Sequence, residues 1–458
     1  MSEKLDIFRL AHNSLKLAQK DNANLKCAEI FIGKNKYINI EIEENSIKNS
    51  EIGSNYGASI RVIDKRGSLG FAFTNNVEKK SIKNITDIAL KMMKSGTDDS
   101  DFKDLPGHYD NYPTVKNLFD INLKNLQIED SVKYVEELIK VCNEDELAIS
   151  QSGDFLSNYS KRYIFNSNGL EISGKETICS ISSNIIVKDK VTKETSFGYD
   201  WQSERNLKNL KPRAIAKSAL EDAKRNLNRI KIKNMKVPLI LTPNGTISLI
   251  LSPISSAING EAFQYKRSFL VDRRDEIIGS KYLNIEDNSL MDGASGSNIF
   301  DGEGVPCTNK KIFVKGKFLR TGLLHNSYTA GKEGIESTGN ASRSLYSYIP
   351  SIGITNFIMN PGEYTKDEMI GDIKNGILLD YTGDSANITT GDFSGLILVG
   401  NVIKDGEIKE PLNETMIAIN LLDLFLKIDA VSKEFKIYGS YQAPYVRIKD
   451  VQIIGGAH

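Results

Sequence analysis

The chain of 458 residues has few of the side chains from which catalytic sites are usually built, with only four histidines and four cysteines. No histidine has a second one within two helical turns, and no C-x-x-C pair occurs. A zinc enzyme needs three protein ligands around an open position for water, and a structural zinc site needs four. The sequence therefore contains no complete local motif for a zinc peptidase or a zinc ribbon.

Motifs for covalent catalysis and nucleotide binding are lacking as well. Ser394 stands in GDFSG (391–395), which lacks the glycine spacing of G-x-S-x-G, and Lys332 lacks the Ser/Thr that follows lysine in a P-loop. The segment around Gly302 does not continue as G-x-G-x-x-G. We expect Cys307, which follows Gly304-Val305-Pro306, to be exposed, but no signature of a catalytic cysteine surrounds it. No nucleophile or nucleotide site follows from these patterns.

The chain also lacks a charge excess and a long apolar run. Lys+Arg and Asp+Glu both number 59, so the formal net charge is +0. Proteins that bind a nucleic-acid backbone usually carry a basic excess, so nucleic acid is an unexpected partner. The most apolar stretch, 238–258, is interrupted by Pro243 and Pro253, which argues against a membrane span. The charged N-terminus is not typical of a signal peptide, and the scattered cysteines suggest reduced thiols, so we expect a soluble, cytoplasmic protein.

The first half alternates between helical and strand patterns. Apolar residues at helical spacing over 4–20 are followed by β-type runs from 27 to 74 and by another helix. After a polar connection at 96–127, Asp130 is expected to cap a helix, and further β-type runs lead to a helix after Pro212. The order helix, strands, helix thus occurs twice. We predict an N-terminal mixed domain over 1–235, with sheets flanked by helices and a hypothetical structural repeat that breaks near 96–127.

The second half is predicted to be a β-rich domain over 236–458. A buried strand, VPLILTP, precedes an apolar segment, and most of the rest consists of β-type runs separated by glycine turns. Lys404-Asp405-Gly406-Glu407 is typical of a hairpin, because Asp-Gly tolerates the positive φ of a tight turn. One helix is expected over MIAINLLDLFLKIDAV, residues 416–431. The predicted fold class is therefore α+β, with few helices in the C-terminal domain.

Several segments of this second half, taken in order, resemble the C-terminal domain of the TldD/PmbA family, whose members are also labelled modulators of DNA gyrase. The segments are PLILTPNGTISLILSPISSAINGEAFQYKRSFL (238–270), FDGEGV (300–305), GIESTGNASRS (334–344), NPGEYTKDEMIGDIKNGILL (360–379), TTGDFSG (389–395), GNVIKDGEIKEP (400–411) and GSYQAPYVRIKDVQIIGG (439–456). The first half resembles the family's mixed α/β region more loosely.

The resemblance separates two branches of this family. The TldD branch carries H-E-x-x-x-H on the helix after the first strand and a cysteine near the C-terminus as third zinc ligand. In this chain Ser252, Pro253 and Ala257 fall at the His, Glu and His positions, and Tyr438 falls near the cysteine. None of these is a normal zinc ligand or general base. Together with KRSFLVD (266–272), this pattern is similar to the PmbA branch, also called TldE.

The resemblance implies a PmbA/TldE-like subunit of a metallopeptidase assembly that degrades unstructured peptides. It implies no zinc or other cofactor in this chain, with zinc held by a TldD-like partner. Partners would be that subunit, a second copy of this chain in a homodimer, and a peptide. The peptide would add to an exposed edge strand of the β domain.

Two alternatives stay open at this point. The chain could be a hydrolase with an altered site of its own, drawn from Glu261, Lys266, Arg267, Asp301 and Glu303; those residues could equally be surface or interface charges. It could also be a regulatory binding protein, as the gyrase-modulator label suggests. Catalytic residues are therefore not assigned by the sequence.

Overall fold

A computed structural model of the chain describes residues 2–20 and 22–456. Its first half contains five helices and six strands among those residues. They are α1 (Ser2–Gln19), β1 (Leu25–Glu43), β2 (Ser46–Asp64), β3 (Leu69–Thr74), α2 (Lys79–Ser95), α3 (Ile121–Asn125), α4 (Ile128–Asn143), β4 (Ala148–Asn166), β5 (Glu171–Lys188), β6 (Thr195–Glu204) and α5 (Pro212–Arg225).

The six strands form one antiparallel sheet in the order β3-β2-β1-β4-β5-β6. Its two halves, β1 to β3 and β4 to β6, each place consecutive strands side by side, and they meet where β1 pairs with β4. The same sequence of helix, three strands and helix is thus built twice around one sheet. The division of the chain into 1–235 and 236–458 stays a prediction.

The alternating side chains of β1 separate the two faces of this sheet. Ile30 and Ile32 pack with α1 and α2, whereas Ile38 and Ile40 pack with α4 and α5, so the even positions all face the helices. Phe31 points to the other face and meets the C-terminal domain. The sheet therefore has a helical layer on one side and the C-terminal domain on part of the other.

The strands are longer than the sequence pattern suggests. In the sequence, CAEIFIG (27–33) and KYINIEIEEN (36–45) are two separate β-type runs. In the structure the single 19-residue strand β1 includes the first run and most of the second, and β2 is equally long. The polar residues between the runs stay in the strand because Lys34, Asn35 and Lys36 pair with both β2 and β4. Backbone hydrogen bonds on both sides hold a strand even where alternation of side chains is interrupted.

One local expectation was wrong and another is confirmed. Helix α4 begins at Ile128 after Gln127, so Asp130 lies in its first turn rather than at its cap. An aspartate cap does occur earlier, where Asp120 accepts a hydrogen bond from the Asn122 backbone N–H at 2.9 Å and starts α3. The expected start of α5 at Pro212 is confirmed, because proline tolerates the first helical turn, where no N–H is needed.

The second half contains thirteen strands and six short α-helices within the described chain. They are β7 (Met235–Leu241), α6 (Pro243–Thr246), α7 (Ser252–Ala257), α8 (Gly260–Gln264), β8 (Ile285–Asn288), β9 (Asn309–Val314), β10 (Lys317–Phe318), α9 (Ser327–Glu333), β11 (Ala341–Ser342), β12 (Ser351–Ile352), β13 (Phe357–Met359), α10 (Lys366–Gly371), β14 (Asn375–Thr382), β15 (Asp392–Lys404), β16 (Glu407–Pro411), β17 (Met416–Asn420), α11 (Leu421–Leu426), β18 (Ile428–Tyr438) and β19 (Tyr441–Ile454).

Five of these strands close a ring. β7 pairs with both β14 and β19, while β15 and β17 connect β14 to β19 on the other side. The Asp405-Gly406 hairpin between β15 and β16 forms as predicted, with φ of 50° and 77°. The helix expected over 416–431 is confined to α11, because its flanks are taken into β17 and β18. The α+β class with a helix-poor, β-rich C-terminal half is confirmed.

None of the helices in the described ranges is both long enough and apolar enough to cross a membrane.

The core between the N-terminal sheet and its helices should dominate the stability of that half. Phe155 on β4 is fully buried and stacks on Tyr134 of α4, with ring centroids 5.7 Å apart. We expect Phe155→Ala to lower the free energy of unfolding by about 3–5 kcal/mol, the usual cost of such a cavity. Urea titration followed by circular dichroism measures this cost. The matched change Phe73→Ala, at a side chain 52% exposed, should cost less than about 1 kcal/mol; equal effects would contradict the assigned core.

Candidate functional site

The helix after the first strand of the C-terminal domain is the element on which the resemblance places a zinc motif. Thr242 caps it by accepting a hydrogen bond from the Gly245 backbone N–H, and Pro243 occupies its first turn. The middle of the helix, Ile247–Leu251, is wound as a π-helix, and α7 continues it to Ala257. Pro253 follows directly after the π turn, where a proline's missing N–H and bulky ring are better accommodated than inside a regular α-helix.

The four positions singled out in the sequence do not converge on one accessible site. Ser252 is exposed, whereas Pro253 and Ala257 are buried in the core of the C-terminal domain. Tyr438 lies at the end of β18, half-buried against Trp201, with ring centroids 6.2 Å apart. Burial, followed by the nearby Asp200, raises the pKa of the Tyr438 hydroxyl well above its ordinary value.

The accessible face of α7 is instead made of three serines. The hydroxyls of Ser255 and Ser256 both donate to the Ser252 carbonyl, at 2.8 and 3.3 Å. The Ser255 hydroxyl also lies 3.3 Å from the hydroxyl of Tyr441, at the start of β19. Sequence comparison by position missed Ser255, Ser256 and Tyr441, although the i, i+3, i+4 spacing of the serines indicates a common helical face.

The tight β18–β19 turn packs closely against Trp201 of the N-terminal half, and a glycine in the turn makes this close packing possible. Gly439 has φ of 56°, and a Cβ there would lie 2.6 Å from the Trp201 ring. Only a residue without a side chain allows this approach without displacing the indole. The turn therefore brings Tyr438 and Tyr441 to the junction between the N-terminal sheet and the C-terminal domain.

The donor set at these positions does not fit zinc. Zn²⁺ in proteins takes cysteine, histidine and carboxylate ligands, whereas α7 offers serine hydroxyls and the turn offers tyrosines. Across residues 2–20 and 22–456, no group of three His, Cys, Asp or Glu side chains is arranged to hold a metal ion. No step of a zinc mechanism can be derived from this chain's own residues.

The three histidines in the described part of the chain lie in different surroundings. His12 is 3.2 Å from Glu171, and His108 is 3.4 Å from Asp110, both at the surface. His325 is buried, and its Nδ1 lies 3.1 Å from the Thr329 hydroxyl. Burial lowers the pKa of His325 to about 4, so its imidazole is neutral near pH 7. His458 lies outside the described residues.

All four cysteines are buried and unpaired, and the expected exposure of Cys307 was wrong. Cys307 lies beneath the turn at Gly339, with its sulfur 3.6 Å from that residue's carbonyl oxygen. Burial raises the pKa of Cys27 and Cys307 to about 12 and that of Cys142 to about 11, and it raises the pKa of Cys179 as well. Since the thiolate is the reactive form, none of these thiols is activated as a nucleophile.

The charged residues proposed for an altered hydrolytic site fall into two different environments. Glu261, Lys266 and Arg267 are exposed around α8, and the only ion pair between them in the described chain spans 3.9 Å. Asp301 and Glu303, from the FDGEGV segment, are buried at the contact between the two halves of the chain. The structure therefore does not bring these five residues together as one site.

Asp301 shapes the turn in which it lies. Its carboxylate accepts hydrogen bonds from the backbone N–H groups of Glu303, Val305 and Ala341, at 2.8 to 3.0 Å. Burial, followed by repulsion from Glu303, raises the pKa of Asp301 to about 7. All of these partners are protein groups, which is the pattern of a structural carboxylate.

Glu303 belongs to a buried network of four charges that crosses from the sheet to the C-terminal domain. The Arg61 guanidinium donates to Glu29 and to Glu303, both at 2.9 Å, and Arg343 donates to Glu29 at 2.6 Å. Burial opposes ionisation of Glu29, but Arg343 and then Arg61 outweigh it and lower the pKa of that carboxyl. The second oxygen of Glu303 accepts the Ser327 backbone N–H at 2.8 Å. The network joins β1 and β2 to the FDGEGV and STG segments.

These features define the class of the protein: a two-part α+β chain whose C-terminal domain carries a capped helix, without metal-binding side chains, at its junction with an N-terminal sheet.

Comparison with known families identifies this architecture. Residues 28–93, 121–227 and 234–455 match, in turn, domain 1, the central domain and the C-terminal domain of PmbA/TldA metallopeptidases. The chain belongs to the PmbA/TldD metallopeptidase family.

Individual relatives match nearly the whole chain. The metalloprotease PmbA homolog of Buchnera aphidicola subsp. Acyrthosiphon pisum is 29% identical and covers 99% of this chain and 98% of its own length. The crystal structure of TldE from Thermococcus kodakarensis superposes with a TM-score of 0.86 at 25% identity, covering 97% of this chain and all of that one. A Thermotoga maritima protein named as a candidate modulator of a DNA gyrase, 21% identical with a TM-score of 0.87 and coverages of 98% and 100%, shares the fold.

The buried network gives a stability prediction. We expect Glu303→Gln to lower the free energy of unfolding by about 3–5 kcal/mol, because it leaves buried Arg61 with one fewer carboxylate. The same substitution at exposed Glu261 should change it by less than about 0.5 kcal/mol. Thermal and urea unfolding of both variants beside the parent checks this; a harmless Glu303→Gln would show that the network does not hold the halves together.

The thiols give a second prediction. Because all four cysteines are buried, a chromogenic disulfide reagent should label almost no thiol in the native protein within minutes and all four in denaturant. Rapid labelling of one native thiol would show that its site opens readily.

Proposed function

We propose that this chain is the PmbA/TldE-like subunit of a cytoplasmic TldD/TldE-type peptidase assembly that acts on unstructured peptides. One observation carries the proposal: the helix after the first strand has Ser252 and Ala257 where the resemblance places the two histidines of a zinc-dependent relative. Family membership supports a role in peptide hydrolysis, and the lack of fitting ligands in the described chain supports the proposal that a partner subunit holds the zinc.

The edge of β18 offers a place for an extended peptide. Among the strands of the described residues, β18 pairs only with β19. The 362–364 segment bonds to the β18 backbone at Ser432 and Lys433, and residues 434–437 beyond that contact are exposed. Phe435 and Ile437 are 46% and 57% exposed there, close to the junction that holds Tyr438. A peptide adding to this edge would gain backbone hydrogen bonds that do not depend on its sequence, and the apolar side chains would supply contact area. Such binding suits unstructured substrates of varied sequence.

The proposal that a TldD-type partner holds the zinc and this chain does not can be tested by mixing the two subunits. We would measure zinc by plasma mass spectrometry and cleavage of a quenched fluorescent unstructured peptide for three samples: this chain, a TldD-type subunit from the same source, and both together. This chain alone should carry no stoichiometric zinc and show no chelator-sensitive cleavage, and the mixture should cleave faster than the TldD-type subunit alone. Stoichiometric zinc or chelator-sensitive cleavage in this chain alone would overturn the proposal.

The peptide edge can be tested separately in the active mixture. We expect Phe435→Ala to raise the peptide concentration for half-maximal cleavage by about fivefold, because an apolar contact worth about 1 kcal/mol is lost. Val191→Ala, at a side chain 88% exposed in a remote turn, is the matched control and should leave it unchanged. Unchanged kinetics for Phe435→Ala, with normal subunit association, would exclude this edge as the peptide site.

A further inference from the structure

A cavity of about 350 Å³ lies between the two halves of the chain. Its walls come from β6 and α5 on one side and from β14, β15 and β18 on the other. The residues that matter for its chemistry are Tyr199, Trp201, Asp222, Asn226, Asp380 and Tyr438. The volume suits a small ligand or one extended side chain.

Two carboxylates face this cavity. Asp222 on α5 pairs with Arg225 of the same helix at 2.8 Å. Asp380 on β14 accepts a hydrogen bond from the Thr242 hydroxyl at 2.5 Å and has no ion-pair partner among the residues that the structure describes. A third carboxylate, Asp200, lies nearby with Lys436 at 3.6 Å. The carboxylates of Asp200, Asp222 and Asp380 thus have only two cationic neighbours in the described ranges, Arg225 and Lys436. This set of side chains has one more negative than positive charge, which favours binding of a cation.

Buried amides provide an independent sign of a ligand. Asn226, at the end of α5, is only 5% exposed, and neither its Oδ1 nor its Nδ2 has a hydrogen-bond partner within the described chain. The Oδ1 of Asn184, which also lines the cavity, is likewise unpartnered there. Leaving such groups unsatisfied costs about 1–3 kcal/mol each, so a ligand that donates hydrogen bonds would be stabilised here.

Aromatic rings complete the walls. Trp201 and Tyr438 lie 6.2 Å apart with ring planes inclined by 30°, and Tyr199 is half exposed at the opening. The faces of such rings attract cations, most strongly where water is excluded. Carboxylates, an amide oxygen and aromatic faces together match a cation that also donates hydrogen bonds.

We propose that this cavity binds an alkylammonium group, with Asp222 and Asp380 pairing its charge, Asn226 Oδ1 accepting one of its N–H groups, and Trp201 and Tyr438 covering its methylenes. The group could belong to a free alkyl diamine or to a lysine side chain of a peptide, and the chemistry at the site is the same. This site is distinct from the proposed peptide edge, and its test requires neither a partner subunit nor cleavage.

The ionisation of Asp222 gives this binding a pH dependence. Burial raises the pKa of Asp222 to about 6; Asp380 and Asp200 act in the same direction, and Arg225 and Lys436 oppose it. The tyrosines at the site, Tyr199, Tyr438 and Tyr445, have raised pKa values and stay neutral in this range. Below about pH 6 the Asp222 carboxyl is protonated and neutral, so it no longer pairs with the positive charge of the ligand. Ammonium binding should therefore strengthen as the pH rises through about 6.

Titration calorimetry on the purified chain tests the site with defined probes. The probes are 1,5-diaminopentane, its neutral analogue 1,5-pentanediol, and an end-capped unstructured peptide with one lysine beside its norleucine counterpart. We expect the diamine, the lysine peptide or both to bind at pH 7.5 and several-fold more weakly at pH 5, with no binding of the neutral analogues. Which amine binds identifies the source; binding of neither, or equal binding of the diol, would overturn the proposal.

Substitutions distinguish amine binding at this cavity from nonspecific electrostatic attraction to the protein surface. Asp222→Asn combined with Asp380→Asn should weaken amine binding by at least about tenfold, as expected for lost charged hydrogen bonds. Asp110→Asn, at a carboxylate 91% exposed, is the matched control and should bind as the parent does. Circular dichroism and the melting temperature establish that both are folded. Parent-like binding by the folded double variant would overturn the proposal, as would an equal loss in Asp110→Asn.

Discussion

The buried charge network of Glu29, Arg61, Glu303 and Arg343 is the constraint on which the arrangement of the two halves depends. Glu29 and Arg61 face each other across β1 and β2, so the sheet itself brings them together. Glu303 and Arg343 come from the C-terminal domain and complete the pairing only when the halves are docked. A buried charge that loses its partner is strongly unfavourable, so separation of the halves is penalised and their relative position is narrowly defined.

This docking also forms the surfaces at the junction of the two halves on which the proposals rest. Once the FDGEGV turn is fixed on the sheet, the β18–β19 turn reaches Trp201, and the cavity beside Tyr438 is enclosed between α5 and β14. Two of the acidic residues considered as candidates for catalysis, Asp301 and Glu303, accept hydrogen bonds from protein groups at this contact. The buried amide of Asn226, which has no hydrogen-bond partner within the described chain, lies apart from this network.

Sequence reasoning succeeded where local periodicity or turn chemistry decides the structure, as for the Asp405-Gly406 hairpin and for α5 after Pro212. It failed where pairing partners decide it. The polar middle of β1 stays extended because strands on both sides bond to it, and the flanks of α11 are strands because β15 and β19 pair with them. The resemblance identified the family from ordered segments. The cavity could not be predicted, since Asp222, Asp380 and Tyr438 meet only after the halves dock.

The helix itself shows why equivalent positions need not form equivalent sites. Each residue turns an α-helix by about 100°, so side chains five apart, as in H-E-x-x-x-H, point about 140° from each other unless the winding changes between them. In this chain the π turn ends at Leu251, before Ser252, and the segment up to Ala257 is regular α-helix. Ser252 consequently faces solvent with Ser255 and Ser256, while Ala257 is directed into the core. A histidine pair at Ser252 and Ala257 would therefore not share a metal here without rewinding the helix, so the two substitutions alone would not restore a zinc site.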